Sequence, residues 1–269
     1  MTTRSMQTGD RVAVVVPARN EAALLPATLR SIPPWVAQVV VVDDGSVDGT
    51  ADVAREVGDP RVHVVRHPRN LGVGAAIATG YRSAFGAGAD VVAVMAGDAQ
   101  MDPGDLAELV APALAGEAGY VKGNRLAHAE VRRDMPWARW VANLVLSLLT
   151  RIATGLDVRD SQCGYTVITR DAAARLPLDT LWPRYGYPND LLGMIASRGV
   201  RMREVTVRAV YGSENSGVRW WHAALVIPAL LVRAVFRRVL GRASASTALP
   251  AAAAEGPAPE RPAASADGP

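Results

Sequence analysis

Residues 39–50 read VVVVDDGSVDGT, and this stretch decides the fold more than any other part of the chain. Four consecutive valines form an apolar run that is typical of a strand buried on both faces. Two aspartates, a glycine and a serine end the run, as in a tight polar loop. Ligands of open α/β sheets bind at the carboxyl ends of the strands, so this loop is a candidate site for a ribose or a base N–H. Alternatively, Asp43 and Ser46 satisfy the loop backbone and Asp48 caps the next helix.

Similar apolar runs alternate with helical patterns along the chain. Strands that are apolar on both faces and separated by helices predict an α/β fold, a Rossmann-like, mainly parallel sheet with flanking helices in a single domain. The expected strands are residues 11–16, 39–42, 62–65, 91–95, 118–122, 165–169 and 201–207. The expected helices are residues 21–30 with Asn20 as cap, 50–57, 73–85, one that Asp102 caps, 136–154, and one that begins near residue 191.

Composition narrows the function classes. Cys163 is the only cysteine, which excludes an internal disulfide, and Lys122 is the only lysine, so the positive charge is nearly all arginine. A net charge of +3 is too small to indicate nucleic acid as a partner. No apolar stretch reaches the roughly 18–20 residues that a bilayer requires, so we expect no spanning helix. No pattern indicates an oligomeric state.

Each of the first four predicted strands ends in a polar loop. Four such loops at one edge of one sheet predict a nucleotide site. Glycines at the start of the third helix would let backbone N–H groups approach an anion, or they only allow close packing. The loops carry Pro17, Arg19 and Glu21 after the first strand, Asp43 and Asp44 after the second, Asn70, Gly72 and Gly74 after the third, and Asp98, Gln100 and Asp102 after the fourth.

Seven motifs, in order and spacing, resemble family 2 glycosyltransferases of the GT-A fold, and within them the dolichyl-phosphate (polyprenyl-phosphate) mannose synthase-like group. The resemblance implies a GT-A glycosyltransferase domain over residues 11–217, preceded by a disordered segment at residues 1–10. The motifs are residues 16–21 (VPARNE), 42–50 (VDDGSVDGT), 70–74 (NLGVG), 97–103 (GDAQMDP), 123–125 (GNR), 160–165 (DSQCGY) and 211–212 (YG).

The resemblance also implies a sugar-nucleotide donor of the GDP-mannose or UDP-glucose type, together with Mg²⁺ or Mn²⁺. Asp98 and Gln100 match two metal-binding positions, but Ala96 stands where the motif normally begins with another aspartate. Asp98, the Gln100 carbonyl and the donor diphosphate would still supply the oxygen ligands that such a cation requires. The residues expected to bind the donor are Pro17, Arg19, Glu21, Asp43, Asp44, Asn70, Gly72 and Asp98.

A polyprenyl phosphate is the expected acceptor. It requires no general base, because its second ionisation lies near pH ~6. It requires cations instead, and Arg125, Arg133 and Arg139 are the candidates, with Arg125 also counted among the catalytic residues beside Asp98. The group also has an arginine and a lysine after its last strand, where this chain has Ala209 and Asn215, so Arg208 or Arg219 would have to substitute.

Two rival functions stay open. A saccharide hydroxyl acceptor would require a general base, for which Asp190 is the candidate, although Asp190 could equally cap the helix near residue 191. Alternatively, the loss of a carboxylate at Ala96 leaves a catalytically weak subunit that only binds a sugar nucleotide.

The end of the chain suggests a membrane surface as partner. Residues 218–242 form an amphipathic pattern with arginines on one half and apolar residues on the other, typical of a helix that lies in a membrane interface. With residues 141–152, this segment would dock the enzyme peripherally on the cytoplasmic face of the plasma membrane. The alternative is a helix packed on the domain with its arginines outward. Residues 243–269 are rich in alanine and proline, and we expect a disordered tail.

Overall fold

The computed structural model describes residues 11–208 and 220–246, and the described residues form one seven-stranded sheet flanked by helices. The strands are β1 (Val12–Ala18), β2 (Gln38–Asp43), β3 (Val62–Arg66), β4 (Val91–Val94), β5 (Tyr120–Asn124), β6 (Thr166–Thr169) and β7 (Met202–Thr206). The helices are α1 (Leu25–Ser31), α2 (Thr50–Glu56), α3 (Val73–Gly86), α4 (Leu106–Leu114), α5 (Val131–Asp134), α6 (Trp137–Thr154), α7 (Arg170–Arg175), α8 (Tyr187–Ser197) and α9 (Trp220–Ser246).

The strand order is β3-β2-β1-β4-β6-β5-β7, and the first four of these strands are mutually parallel. Only β6 runs antiparallel to its neighbours, β4 and β5. In this register Ala18 lies beside Asp43, and Asp43 lies beside Arg66. The loops after the parallel strands therefore meet at one edge of the sheet, and the expected α/β fold with a mainly parallel sheet is confirmed.

Two apolar layers cover the two faces of the sheet. Alternate residues of β1 point to opposite sides, so Val14 packs in the layer that contains α1 and α4, whereas Val15 packs in the layer that contains α3 and α8. Both valines are fully buried. The valine runs thus serve a sheet that is covered on both faces, as the sequence indicated.

Several helix boundaries differ from the expectation. Helix α1 begins at Leu25, and Asn20 does not cap it; Asn20 adopts a left-handed φ of 56° and accepts a hydrogen bond from the Val47 N–H instead. Helix α8 begins at Tyr187, four residues earlier than expected. Asp102 caps as predicted, since its carboxylate accepts a hydrogen bond from the Gly104 N–H in the short turn Pro103–Asp105.

Helix α6 is polar on its inner side and apolar on its outer side. The buried inner side carries Asn143, Ser147, Thr150 and Thr154, and hydrogen bonds connect it to α8 and to the 160–162 loop. Apolar residues at helical spacing are exposed on the outer side. They are Trp137, Val141, Leu144, Val145, Leu148, Leu149 and Ile152.

Helix α9 packs against α6 and α8, burying apolar residues such as Ile227, Leu231 and Ala234 and turning two arginines inward. Arg233 and Arg237 face the protein, where both form ion pairs with Asp190, so the alternative of a packed helix with its arginines outward is wrong. Val232, Val235, Phe236 and Val239 are exposed instead. We call these four residues and the exposed residues of α6 the outer apolar face.

The remaining expectations for the ends of the chain concern residues outside the described ranges. These are the disorder at residues 1–10, the positions Ala209, Asn215 and Arg219, and the tail from residue 247 onward. Helix α9 continues to Ser246, four residues past Arg242. Within residues 11–208 and 220–246, no helix combines the length and the apolar character that a membrane crossing requires.

Candidate functional site

A cavity of about 710 Å³ opens at the carboxyl ends of the parallel strands. The loops after β1, β2, β3 and β4 all reach it, so the structure brings together most of the residues predicted to bind a nucleotide. Glu21, Asp44 and Asp98 share this one cavity, and the convergence expected from the sequence is real. The predicted residues that line it are Pro17, Arg19, Glu21, Asp44, Asn70, Gly72 and Asp98.

The two adjacent aspartates after β2 have different positions. The Asp44 carboxylate lies at the cavity and accepts hydrogen bonds from the backbone N–H groups of Leu71 and Gly72 at 2.8 and 2.7 Å. It also bonds His67 Nδ1 at 2.8 Å, and His67 Nε2 lies 3.1 Å from the hydroxyl of Thr79. Asp44 therefore fixes the loop after β3 against the loop after β2.

Asp43 does not line the cavity, although the sequence placed it in the nucleotide pocket. Its side chain is fully buried, accepts a hydrogen bond from the Ser46 N–H at 2.9 Å and lies 3.1 Å from Arg66 Nε. Successive residues of a strand point to opposite faces, so two adjacent aspartates at its end cannot both face one pocket. For Asp43, the structure favours the alternative of a loop-stabilising residue.

The glycines that open α3 serve packing rather than anion binding. The N–H groups of Gly74 and Ala75 donate to the carbonyl oxygen of Pro183 at 2.8 and 3.2 Å, so they are already occupied. A Cβ on Gly72 would lie only 2.3 Å from the same oxygen. The loop at residues 182–185 therefore lies directly on the start of α3 and forms a wall of the cavity.

Several wall residues were not identified from the sequence, among them Trp182, Arg184, Tyr185 and Val226. The first three form a short segment rich in aromatic side chains just before α8, a signal that could have been noticed. Val226 belongs to α9 and has no local signal, because its position depends on how α9 packs against the domain.

A divalent cation fits the acidic loop only with help from its substrate. Asp98 lies at the cavity and accepts a hydrogen bond from the Gln100 N–H, whereas Ala96, which also lines the cavity, supplies no carboxylate. No cluster of three or more His, Cys, Asp or Glu side chains suited to a metal occurs in the described part of the chain. One carboxylate plus substrate phosphates is a usual ligand set for Mg²⁺, so the residues present fit a metal that binds together with a diphosphate.

Arg125 lies outside the cavity wall and forms a two-pronged ion pair with Asp160. Arg125 Nε and Nη2 bond the two Asp160 oxygens at 2.8 and 3.0 Å. Burial alone would raise the pKa of the Asp160 carboxyl, but the neighbouring guanidinium outweighs burial and the pKa is lowered. Glu204 accepts the N–H of Asp160 at 3.1 Å. Arg125 is thus held rigidly beside the loop after α6.

Behind this pair lies Lys122, which the sequence analysis noted only as the single lysine. Its side chain is fully buried and its ammonium donates to the Cys163 carbonyl. Burial lowers the pKa of Lys122, and the nearby Asp160 and Glu204 oppose that shift. The sequence gives no hint of this burial, because β5 otherwise has an ordinary strand pattern.

The other arginines proposed for the acceptor lie apart from the cavity. Arg133 is exposed on α5, and Arg139 is exposed in the first turn of α6, close along the chain to the exposed Trp137. Arg208 lies 3.5 Å from Glu130 and also stays away from the cavity wall. The structure therefore places Arg139 in the turn of α6 at which the outer apolar face begins, and Arg133 on the preceding helix.

Asp190, the candidate general base, does not line the cavity. It lies in the first turn of α8, but Gly186 occupies the cap position and Asp190 does not cap the helix. Its side chain is 1% exposed. One carboxylate oxygen accepts the N–H of Trp182 at 2.9 Å, and the other lies 2.7 Å from Arg237 Nη1.

Comparisons with known proteins agree with this geometry. The family model described as "Glycosyl transferase family 2" matches residues 13–176. An uncharacterised glycosyltransferase of Mycobacterium tuberculosis is 38% identical over 209 residues, which cover 78% of this chain and 88% of that protein. The undecaprenyl-phosphate mannosyltransferase of Micrococcus luteus is 33% identical over 205 residues, covering 74% of this chain and 84% of that protein.

Solved structures of glucosyl-3-phosphoglycerate synthase from Mycobacterium tuberculosis share the fold. The complex with UDP matches with a TM-score of 0.65 at 25% identity and covers 86% of this chain and 82% of that chain. A complex of the same synthase with Mn²⁺, UDP and glucosyl-3-phosphoglycerate matches with a TM-score of 0.64 at 23% identity and the same coverage. That synthase thus binds Mn²⁺ and a uridine nucleotide in its solved complexes.

Proposed function

Because this chain belongs to glycosyl transferase family 2, we propose that it transfers a hexose from a nucleotide-diphosphate sugar to a polyprenyl phosphate, with inversion at the anomeric carbon. The resemblance to this family and the expected GT-A fold are confirmed. The donor sugar and the acceptor are the proposed part.

One observation carries the proposal. Glu21, Asp44 and Asp98 converge on a single cavity in a molecule whose helix α6 turns its apolar side chains outward. The cavity is suited to a polar nucleotide, and an exposed apolar stripe of this kind is suited to a lipid phase. The name of the Micrococcus luteus relative, which specifies undecaprenyl phosphate, supports the same acceptor class.

The donor would lie in the cavity with its nucleoside against Pro17, Glu21 and Asp44. Asp98 would hold a cation that is shared with the donor diphosphate. When bound, that cation would neutralise charge as the nucleoside diphosphate departs. Ala96 leaves Asp98 as the cavity's carboxylate from this loop, so the diphosphate itself would complete the ligand set.

A phosphate acceptor suits a cavity that Asp190, the candidate general base, does not line. A phosphate monoester is largely dianionic at neutral pH and attacks without losing a proton. Attack on the face opposite the leaving diphosphate inverts the anomeric centre. Arg125, which Asp160 holds in place, and the exposed Arg133 and Arg139 would attract the lipid phosphate.

The outer apolar face would lie in the surface of an anionic leaflet on the cytoplasmic side of the plasma membrane. Water provides no favourable contact for this face, whereas the acyl boundary does. Trp137 is 79% exposed at the start of α6, and aromatic rings of this type favour the headgroup layer. The enzyme would then meet its lipid substrate without crossing the bilayer.

A transfer assay tests donor and acceptor together. Purified protein, Mn²⁺ and a short polyprenyl phosphate are incubated separately with labelled GDP-mannose, UDP-glucose and UDP-N-acetylglucosamine, and the products are extracted into organic solvent. We expect label in the organic phase with one donor, none with the unphosphorylated polyprenol, and about a 10²–10³-fold loss in Asp98→Ala. Asp52→Ala makes the same substitution at an exposed ion pair on α2, so it is the matched control and should retain full transfer.

The rival functions make different forecasts in the same assay. A hydroxyl acceptor would give label on a saccharide, and a phosphoglycerate acceptor, as in the structural neighbour, would give a water-soluble product. A subunit that only binds the nucleotide would give neither transfer nor hydrolysis. The position of Asp190 in an ion pair away from the cavity argues against the hydroxyl alternative.

A further inference from the structure

The loop at residues 182–185, which forms one wall of the cavity, is fixed from two sides. The carbonyl of Pro183 accepts hydrogen bonds from Gly74 and Ala75 at the start of α3. The N–H of the preceding residue, Trp182, donates to the carboxylate of Asp190 at 2.9 Å. Two consecutive residues are thus hydrogen-bonded to different helices, Pro183 to the start of α3 and Trp182 to Asp190 of α8. The position of the wall depends on both sets of bonds.

Asp190 in turn is held by the C-terminal helix. Arg237 lies 2.7 Å and Arg233 lies 3.5 Å from its carboxylate, and Asp190 is almost completely buried. A buried carboxylate that is hydrogen-bonded and paired in this way has a fixed orientation, and losing either partner leaves the other one unsatisfied. Asp190 therefore connects α9 to the backbone of the cavity wall.

Helix α9 also contacts the wall directly. Val226 lines the cavity, and a Cβ on Gly186, at the end of the wall, would lie 2.8 Å from a methyl carbon of Leu230. The glycine has a left-handed φ of 98°, so it suits both the turn and the close approach of α9. Gly186 thus permits a close approach of α9 to the end of the wall that a side chain at this position would block.

We propose that Asp190 is a positioning residue for donor binding, because it transmits the placement of α9 to Trp182 and so sets the width of the nucleotide cavity. This inference rests on the proposed function, in which the cavity takes a nucleoside diphosphate. It assigns Asp190 a role different from that of a general base. A base must come within about 2.6–3.2 Å of the acceptor hydroxyl, and Asp190 instead directs its oxygens to Trp182 and Arg237.

Nucleotide binding by the full-length protein is the direct test. UDP and GDP are each titrated calorimetrically in the presence of Mn²⁺ against the wild type, Asp190→Asn and Arg237→Gln. We expect both variants to bind the preferred nucleotide about tenfold more weakly, within the usual range for coupling between sites. The double variant should bind no more weakly than the worse single variant, because both changes break the same connection.

Two further proteins separate positioning from a loss of folding. Arg237→Lys keeps a cation beside Asp190 and should restore affinity to within about threefold of the wild type, since the ion pair persists. Asp52→Asn makes the same chemical change as Asp190→Asn at an exposed pair on α2 and should bind normally. Far-ultraviolet circular dichroism should be unchanged in all variants.

Other outcomes would overturn the inference. If both Asp190→Asn and Arg237→Gln bind nucleotide within twofold of the wild type, the Asp190–Arg237 connection does not determine the width of the cavity. A different result would assign Asp190 as a general base: Asp190→Asn binds nucleotide normally but no longer transfers the sugar, while Arg237→Gln transfers it normally. A wild type that binds neither nucleotide would remove the proposed function itself, and this inference with it.

Discussion

Helices α3 and α6 bury opposite kinds of side chain. Helix α3 covers the sheet with Ala76, Ile77 and Tyr81, so burial of apolar surface holds it in place. Helix α6 turns Ser147 and Thr150 inward and leaves its large apolar residues exposed. Hydrogen bonds can orient α6 on the domain, but water cannot stabilise its outer side. The difference is the reason for proposing that α6, unlike α3, contacts an apolar phase.

The largest effect is expected when charged side chains replace apolar ones on the outer apolar face. In Leu148→Glu/Ile152→Glu, two side chains that are 54% and 68% exposed become charged. Burial of each apolar side chain is worth about 1.5–3 kcal/mol, so binding to anionic vesicles should weaken by at least about 100-fold. Co-sedimentation with phosphatidylglycerol vesicles measures the change.

The control for vesicle binding is Val47→Glu, because Val47 is 91% exposed but lies in the loop after β2. It should sediment like the wild type. Equal sedimentation of the double variant and the wild type would remove the membrane from the proposed function. A face that instead buries itself in a second copy would give a dimer that the double variant breaks into monomers.

The core beneath α3 should give the next largest effect. Ile77 is 1% exposed, and Ile77→Ala should lower the free energy of unfolding by about 2–5 kcal/mol through lost burial and the cavity left behind. Urea unfolding without vesicles measures this change. Ile152→Ala makes the same substitution at the outer apolar face and should stay within about 0.5 kcal/mol of the wild type. Equal losses would mean that Ile152 itself is packed in an apolar core rather than exposed.

A smaller effect is expected on the inner side of α6. Thr150 is fully buried, accepts a hydrogen bond from the Asn189 amide at 2.7 Å and donates one to the Leu146 carbonyl. Thr150→Val keeps the shape but leaves the Asn189 amide without this partner, so we expect a loss of about 1–3 kcal/mol in unfolding free energy. Leu149→Thr, on the exposed side, should be near neutral in water. A stabilising Thr150→Val would contradict the polar inner side.

The loops after β1 to β4, which line the cavity, were predictable from the sequence because their signals are local. Valine runs mark strands that are buried on both faces, and the polar loops that follow them meet wherever the strands are parallel. Glu21, Asp44 and Asp98 were found in this way. Asp43 was placed wrongly because the alternation of side chains along a strand was not applied to its last residue.

The positions of α8 and α9 were less predictable from the sequence because they depend on tertiary contacts. The start of α8 had a usable signal, since Pro188 lies in the first turn and Gly186 precedes the helix. The inward orientation of Arg233 and Arg237 had none, because amphipathic periodicity separates two halves of a helix without telling which half faces the protein. Their buried partner, Asp190, decides the orientation.

Acid should remove the stability that Asp160 contributes through its ion pair with Arg125. The pKa of this carboxyl is lowered in the folded protein relative to the ordinary value of 3.8. Its stabilising contribution is therefore complete above about pH 4 and is lost as the pH falls through the lower, folded value. Asp160→Asn cannot titrate and should be less stable than the wild type by about 1.5–3 kcal/mol at pH 5–7, because a charged hydrogen-bonded pair is broken. Below pH 3.8 the gap between the two proteins should narrow. Urea unfolding at several pH values between 3 and 7 measures this difference in unfolding free energy. Ile77→Ala is the reference, and its loss of stability should not change with pH because no titrating group is removed. A difference between Asp160→Asn and the wild type that stays constant down to pH 3 would contradict the role of the Arg125–Asp160 pair.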